Sequence, residues 1–394
     1  KDAASLKEQL VLKSTRNLQG YKPGGGQAHG TPTAADAPVI EAGGMKDGKP
    51  DPKHYQDVIP AAKSDSKQEL HWKVKLDKGE RFGIGFMAPP PPLTGNSLGS
   101  YIIIKAVIKG PGGASACEDK NMSGNSSEFS QPVAGYAFTK VAGEGFSSCE
   151  PGEYDVFVES SGPAAANQDL PLELMLWKVP EAADATTTSA PPTDKPQPTN
   201  VELGTSAGKL PSALGPSEAP TVKPGTYDVE IVPGEMLWFK VPVAEGQRLQ
   251  MAFDVPPIDV ENPNDLKEDL GRRISWNVMG PTFYPLSTNA LKDDTYFHDD
   301  NVEAIKDKAT TGAMTTQPIR WNNINSSDLD VYGGFVSGEQ YVALRYSTLF
   351  RKADQNTQSI PVKFRVAVAA TGEAEKAPTL TYRNNGQQST TTSA

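Results

Sequence analysis

From about residue 37 the chain alternates apolar and polar positions with a period of two. Leu70-His-Trp72-Lys-Val74-Lys-Leu76 alternates cleanly. Phe82-Gly-Ile84-Gly-Phe86, the run Ile102–Ile108, Tyr154-Asp-Val156-Phe-Val158 and Leu170-Pro-Leu172-Glu-Leu174-Met-Leu176 follow. Successive side chains of a strand point to opposite faces, so this pattern predicts half-buried strands. Clusters of Gly, Pro, Asn and Ser separate the runs, which predicts an antiparallel sandwich over 37–179.

The pattern returns over 223–371 as a copy. At an offset of 167, Trp72–Pro90 falls on Phe239–Pro257 with 7 of 19 positions identical, among them Gly79/Gly246, Arg81/Arg248 and Phe86/Phe253. Gly152-Glu-Tyr154 parallels Gly338-Glu-Gln-Tyr341, which moves the offset to 187. Leu170-Pro-Leu-Glu-Leu174 parallels Ile360-Pro-Val-Lys-Phe364, at 190. Matches at the start, middle and end predict a tandem duplication. Gly79 and Gly246 are expected to be hairpin glycines with positive φ.

The flanks read differently. Leu6, Leu10 and Leu18 share a face and Gly20 ends the pattern, so 1–36 reads as a short N-terminal helix and linker. Residues 180–222, including Ala185-Thr-Thr-Thr-Ser-Ala-Pro-Pro, read as a Pro/Thr-rich linker, and 372–394 as a disordered tail or stalk. The expected fold is therefore all-β: two tandem antiparallel β-sandwich domains of jelly-roll type, 37–179 and 223–371. Each should have its own core, with few contacts across the spacer.

Composition sharpens this reading. Gly and Pro together make 70 of 394 residues, an excess that favours turns and short strands over helix bundles. A net charge of −10 offers no electrostatic footprint for nucleic acid. No stretch approaches the roughly 18 apolar residues of a membrane span. The opening Lys1-Asp-Ala-Ala-Ser-Leu-Lys lacks the pattern of a signal peptide. Cys117 and Cys149 are the only two cysteines and lie in Ser/Gly-rich surroundings. They are expected to form a disulfide that secures a long loop, stabilising by about 3–4 kcal/mol in the chain-entropy model. A disulfide implies an oxidising, extracytoplasmic setting, the cell surface or periplasm.

Candidate chemistry is sparse. Gly204-Thr-Ser206-Ala-Gly208 matches a nucleophile elbow but lies in the expected linker, without the strand and helix that strain such a serine. Gly83-Ile-Gly85-Phe-Met-Ala88 matches a dinucleotide fingerprint but is followed by prolines, so it reads as a strand. His29, His54, His71 and His298 have no zinc-site spacing, and His71 is expected to face solvent. Asp293, Asp294, Asp299 and Asp300 concentrate oxygen ligands and are weak calcium candidates without EF-hand spacing. Trp72, Trp177 and Trp238 read as core. Trp321 with Asn322, Asn323 and Asn325 resembles a ligand-binding loop, with amides around a ring on which a sugar could stack. The loop-rich stretch 258–335 is where a binding function is expected. No cofactor, no catalytic residue and no metal site is expected.

Two motifs carry a resemblance. Ile231-Val-Pro-Gly-Glu with Phe239-Lys-Val and Glu245-Gly-Gln-Arg-Leu249, together with Gly152-Glu-Tyr154-Asp-Val156-Phe-Val158, is similar to pre-peptidase C-terminal (PPC-like) β-sandwich modules. The layout resembles the extracytoplasmic region that follows the von Willebrand factor A (VWA) domain in actinobacterial membrane-anchored proteins. The Asp-x-Ser-x-Ser metal site of that domain is absent from this sequence. The resemblance implies a secreted, non-enzymatic cell-surface or periplasmic module for display, spacing or protein–protein interaction, belonging to a membrane-anchored parent. The alternative is a glycan- or cell-wall-binding protein. A protein or a cell-envelope glycan is the expected partner.

Overall fold

The computed structural model describes residues 21–61, 66–89, 101–127, 132–143, 149–162, 169–183, 201–231, 235–257, 272–292, 301–303, 309–348 and 362–382. The expected helix within 1–20, the linker stretch 184–200, the four calcium-candidate aspartates with His298, and the end 383–394 lie outside them.

The first copy contains β1 (Gly26–Gln27), β2 (Gly44–Lys46), β3 (Lys49–Asp51), β4 (Lys53–Ile59), β5 (Gln68–Leu76), β6 (Phe82–Ala88), β7 (Tyr101–Lys109), β8 (Glu118–Met122), β9 (Gly124–Ser127), β10 (Val133–Thr139), β11 (Gly152–Ser161), β12 (Leu170–Lys178) and β13 (Glu181–Ala182). The second contains β14 (Ser206–Lys209), β15 (Gly225–Ile231), β16 (Met236–Val243), β17 (Arg248–Val255), β18 (Arg272–Met279), β19 (Pro285–Leu286), β20 (Thr288–Lys292), β21 (Asn301–Glu303), β22 (Thr310–Thr316), β23 (Gly338–Thr348), β24 (Val362–Thr371) and β25 (Leu380–Thr381).

The chain is all-β, and the two copies share one strand order. In the first, a sheet β1-β4-β12-β6-β10-β8 faces a sheet β5-β11-β7-β9. In the second, β14-β15-β24-β17-β22-β20 faces β16-β23-β18, with β19 and β21 both on the outer edge of β18. Each pair of sheets encloses its own core. Trp72, Phe86 and Tyr154 lie in the first, and Phe239, Phe253 and Trp276 in the second. Equivalent hydrogen bonds recur: Thr139 Oγ1 accepts from Phe82 N at 2.9 Å, and Thr316 Oγ1 from Leu249 N at 3.1 Å.

The offset of 167 holds for the central strands, but the later offsets need correction. Trp72 pairs with Val156 and Phe239 with Val342, so β11 and β23 are related by 186. The expected match of Tyr154 with Tyr341 is one residue off. One residue reverses the face, so Tyr154 fills the first core whereas Tyr341 points out of the second sandwich. Phe86 pairs with Leu174 and Phe253 with Val366, which places the closing strands at 192 rather than 190. A slip of two keeps every side chain on its face, so alternation alone cannot detect it. Gly79 and Gly246 have φ of 83° and 80°, but they do not turn hairpins. β5 and β6 belong to different sheets, so the glycine turn crosses the sandwich.

Each copy begins earlier than its apolar pattern. The stretch 201–222, expected to be linker, is structured, and it matches 21–40. Ala28 N donates to Gln56 O and Leu210 N to Asp228 O, both at 2.9 Å; Lys73 N donates to Pro38 O and Lys240 N to Pro220 O. Each lead-in pairs in parallel with the edge of one sheet and then crosses to the edge strand of the other. Backbone hydrogen bonds need few apolar side chains, so Ala28, Ile40, Leu210 and Val222 suffice as buried anchors. The expected tail is also partly ordered: β25 returns to pair with β13 of the first copy.

Candidate functional site

The two sandwiches are joined by an apolar seam, against the expectation of few contacts between them. The outer face of the first copy's six-stranded sheet presents Tyr136, Phe138, Trp177, Met87 and Met175. The second copy meets it with Tyr284, Trp321, Tyr332, Phe335, Trp238, Met279 and Phe283. Trp177 is stacked on Phe335 with centroids 5.8 Å apart and planes 16° apart, and its indole N–H donates to the Tyr284 hydroxyl at 2.7 Å. Burial pushes the Tyr136, Tyr284 and Tyr332 hydroxyls up, away from ionisation. At the rim, Arg81 lies 5.3 Å from the Phe138 ring centroid, and Lys120 Nζ sits 4.0 Å from that of Tyr332.

The glycines of Gly83-Ile-Gly85 are explained here. A Cβ on Gly85 would lie 1.8 Å from Thr282 O, so the strand is bare where the 280–284 turn of the second copy lands. In that turn Phe283 is fully buried with φ of 63°, a left-handed conformation that a bulky residue holds only when its surroundings fix it. Its neighbours are His54 and Tyr341. Beside it lies a fully buried carboxylate, Glu173, which accepts from the Tyr21 hydroxyl and, at 3.0 Å, from Gly24 N. The His54 Nε2 approaches the same carboxylate at 2.5 Å. Burial, then the charge of Glu173, raise the Tyr21 hydroxyl well above its usual range.

The candidate ligand loop is part of this seam. Trp321 is only 5% exposed and stands edge-on to Trp177, so its ring is not a platform for a sugar. Asn323 is fully buried and donates to Pro318 O and Gly334 O, both at 2.8 Å, which ties the short 3₁₀ turn Trp321–Asn325 in place. Asn325 donates to Asn322 at 2.6 Å on the surface. Trp321 and Asn323 are thus taken up by the seam, whereas Asn322 and Asn325 remain at the surface. Glu245 holds the turn from beneath by accepting from Trp321 N at 2.7 Å, and burial raises its carboxyl to about 7.

The other candidates are placed as follows. Cys117 and Cys149 are bonded and buried. Ser206 is on β14, where its hydroxyl donates to Asp228 at 2.6 Å. His71 is buried rather than solvent-facing: it stacks on Phe157 and contacts Asp155 and Glu69. Among the described residues, no group of three or more His, Cys, Asp or Glu is placed to hold a metal ion. No helix there is long and apolar enough to cross a membrane.

One polar cleft opens beside the seam. It has a volume of about 380 Å³, with the β8–β9 turn and the start of β10 on one wall and β18, β19 and the Asp328–Asp330 segment on the other. Neither sandwich forms it alone.

No family model and no curated protein matches this chain. Among solved structures it is similar to the CBM22-1–CBM22-2 tandem domain from Paenibacillus barcinonensis Xyn10C, at 12% identity over 81% of this chain and 91% of that one, with a TM-score of 0.18. It is also similar to the CUB1-EGF-CUB2 domain of human MASP-1/3, at 11% identity over 75% and 99%, with a TM-score of 0.16. The ANX2 ectodomain from Arabidopsis thaliana matches at 9% identity over 82% and 90%, with a TM-score of 0.19. Likenesses this distant assign no function; the all-β class rests on the sheets themselves.

The signal for the seam was present in the sequence as differences between the copies. At equivalent register, Met236, Trp238, Met279 and Tyr341 of the second copy stand where the first has Glu69, His71, Lys109 and Asp155. Met87, Tyr136, Phe138 and Trp177 of the first stand where the second has Asp254, Ala313, Thr315 and Ala369. An apolar residue in one copy against a polar or small one in the other marks a surface that only one copy buries.

Proposed function

We propose that this chain is a non-enzymatic extracytoplasmic module in which two sandwiches act as one rigid body that spaces or presents a protein-contact surface. The observation that supports this most is the seam. A rigid spacer needs its halves fixed against each other, and an apolar, aromatic junction with a strand pair (β13–β25) across it does so. The apolar faces occur once in each copy, so the junction closes and does not propagate into a filament. The Cys117–Cys149 bond fits an oxidising compartment. The membrane-anchored, VWA-type parent rests on the resemblance of the chain's layout alone.

The test is topological. A membrane-impermeant reagent applied to intact cells should label the protein, and the protein recovered should contain no free thiol. Labelling only after lysis, with two free thiols, would overturn the proposal.

A further inference from the structure

We propose that the cleft beside the seam is a binding site for a neutral oligosaccharide segment. Its volume of about 380 Å³ is within the range of ligand sites. Ser123, Asn277, Ser287, Thr288 and Gln317 supply hydroxyls and amides, and among the described residues no Lys, Arg or His lines it. Asp328 and Asp330 at its mouth repel anions and accept hydrogen bonds from hydroxyls. The lining therefore disfavours anions and offers partners to a ligand rich in hydroxyl groups.

Two observations point to unmet hydrogen-bonding capacity. Gln317 is only 7% exposed, and its amide oxygen has no hydrogen-bond partner among the described residues; the Asn277 amide oxygen is in the same position. Leaving a buried polar atom unpaired costs about 1–3 kcal/mol, and a side-chain rotation that turns either oxygen into the cleft, to accept from a ligand hydroxyl, removes that cost. The edge of β18 is also interrupted here. β21 pairs with Arg273–Ser275 and β19 with Val278–Met279, which leaves Trp276 and Asn277 between them. A peptide adding as a strand needs a longer free edge than two residues, so the geometry favours a sugar over a peptide.

This inference goes beyond the spacing role and does not depend on it. The experiment is calorimetric titration of the full chain with cellohexaose, xylohexaose and mannohexaose, with oligogalacturonate and an extended peptide library as comparisons. At least one neutral sugar should bind. Ser123→Trp, which fills the mouth from an exposed turn, should weaken it at least tenfold without changing the melting temperature. Asn277→Ala should weaken it similarly. Lys363→Ala, on a remote exposed position, should have no effect. Failure of every neutral sugar to bind overturns the inference, as does binding that Ser123→Trp leaves intact. Oligogalacturonate or a peptide bound in their place overturns it too. With the melting behaviour of the seam unchanged, any of these results leaves the spacer reading standing.

Discussion

Truncating Trp177 should separate the two sandwiches without unfolding either. Its side chain is fully buried, yet it belongs to the seam cluster and not to the first core. Removing a buried tryptophan costs about 3–5 kcal/mol through lost transfer energy and the cavity left behind. Trp177→Ala also strands the Tyr284 hydroxyl, which now accepts the indole N–H at 2.7 Å, and it unstacks Phe335. A loss of about 4 kcal/mol is therefore expected, all of it from the junction. The second copy supports that assignment, because Ala369 occupies the position equivalent to Trp177 and its sandwich has the same strand order. Differential scanning calorimetry should give one cooperative transition for the wild type and two for Trp177→Ala. Denaturant titration should show the drop in free energy on the first transition. A loss below about 1 kcal/mol, or a wild type that already melts in two well-separated steps, would refute the reasoning.

Further outcomes follow from the same contacts. Gly85→Ala places a Cβ against Thr282 O and should cost about 1–3 kcal/mol by forcing the sandwiches apart, read as a lower melting temperature and a larger radius of gyration; Ala252→Gly, at the equivalent position of the second copy, should leave the radius unchanged. Burial raises the Glu245 carboxyl from 4.5 to about 7, which favours its neutral form, so its contribution is fully present below pH 4.5 and is lost as pH rises through 7. The loss is roughly 3 kcal/mol at most, and Glu245→Gln should flatten that part of the stability–pH curve. Reduction of Cys117–Cys149 should lower stability by about 3–4 kcal/mol, while the double variant Cys117→Ala/Cys149→Ala should be insensitive to reductant.

The strands, the two cores and the duplication can be read from the order of residues alone. Leu70–Leu76 and Phe82–Phe86 alternate because each strand buries one face, and a period of two is visible without a partner. Positions that depend on one face of one sheet, such as Trp72 and Phe86, were therefore legible. The pattern places Trp177 in the core; it is buried, but in the seam. The amides around Trp321 suggest an exposed ring; it is buried there too. Local alternation says that a residue leaves the face of its sheet, but not what waits on that side.

The register of the later strands, the start of each copy and the closing of the junction emerge only when the strands are packed. An offset error of two preserves every face, so Leu170 could not choose between Ile360 and Val362 by pattern. The lead-ins at 21–40 and 201–222 are held by backbone hydrogen bonds, which any sequence can make, so their composition resembled a linker. The seam and its cleft arise when the outer face of one sandwich is covered by the other. That depends on contacts between residues more than a hundred positions apart, such as Trp177 with Tyr284, which carry no periodic signature along the chain.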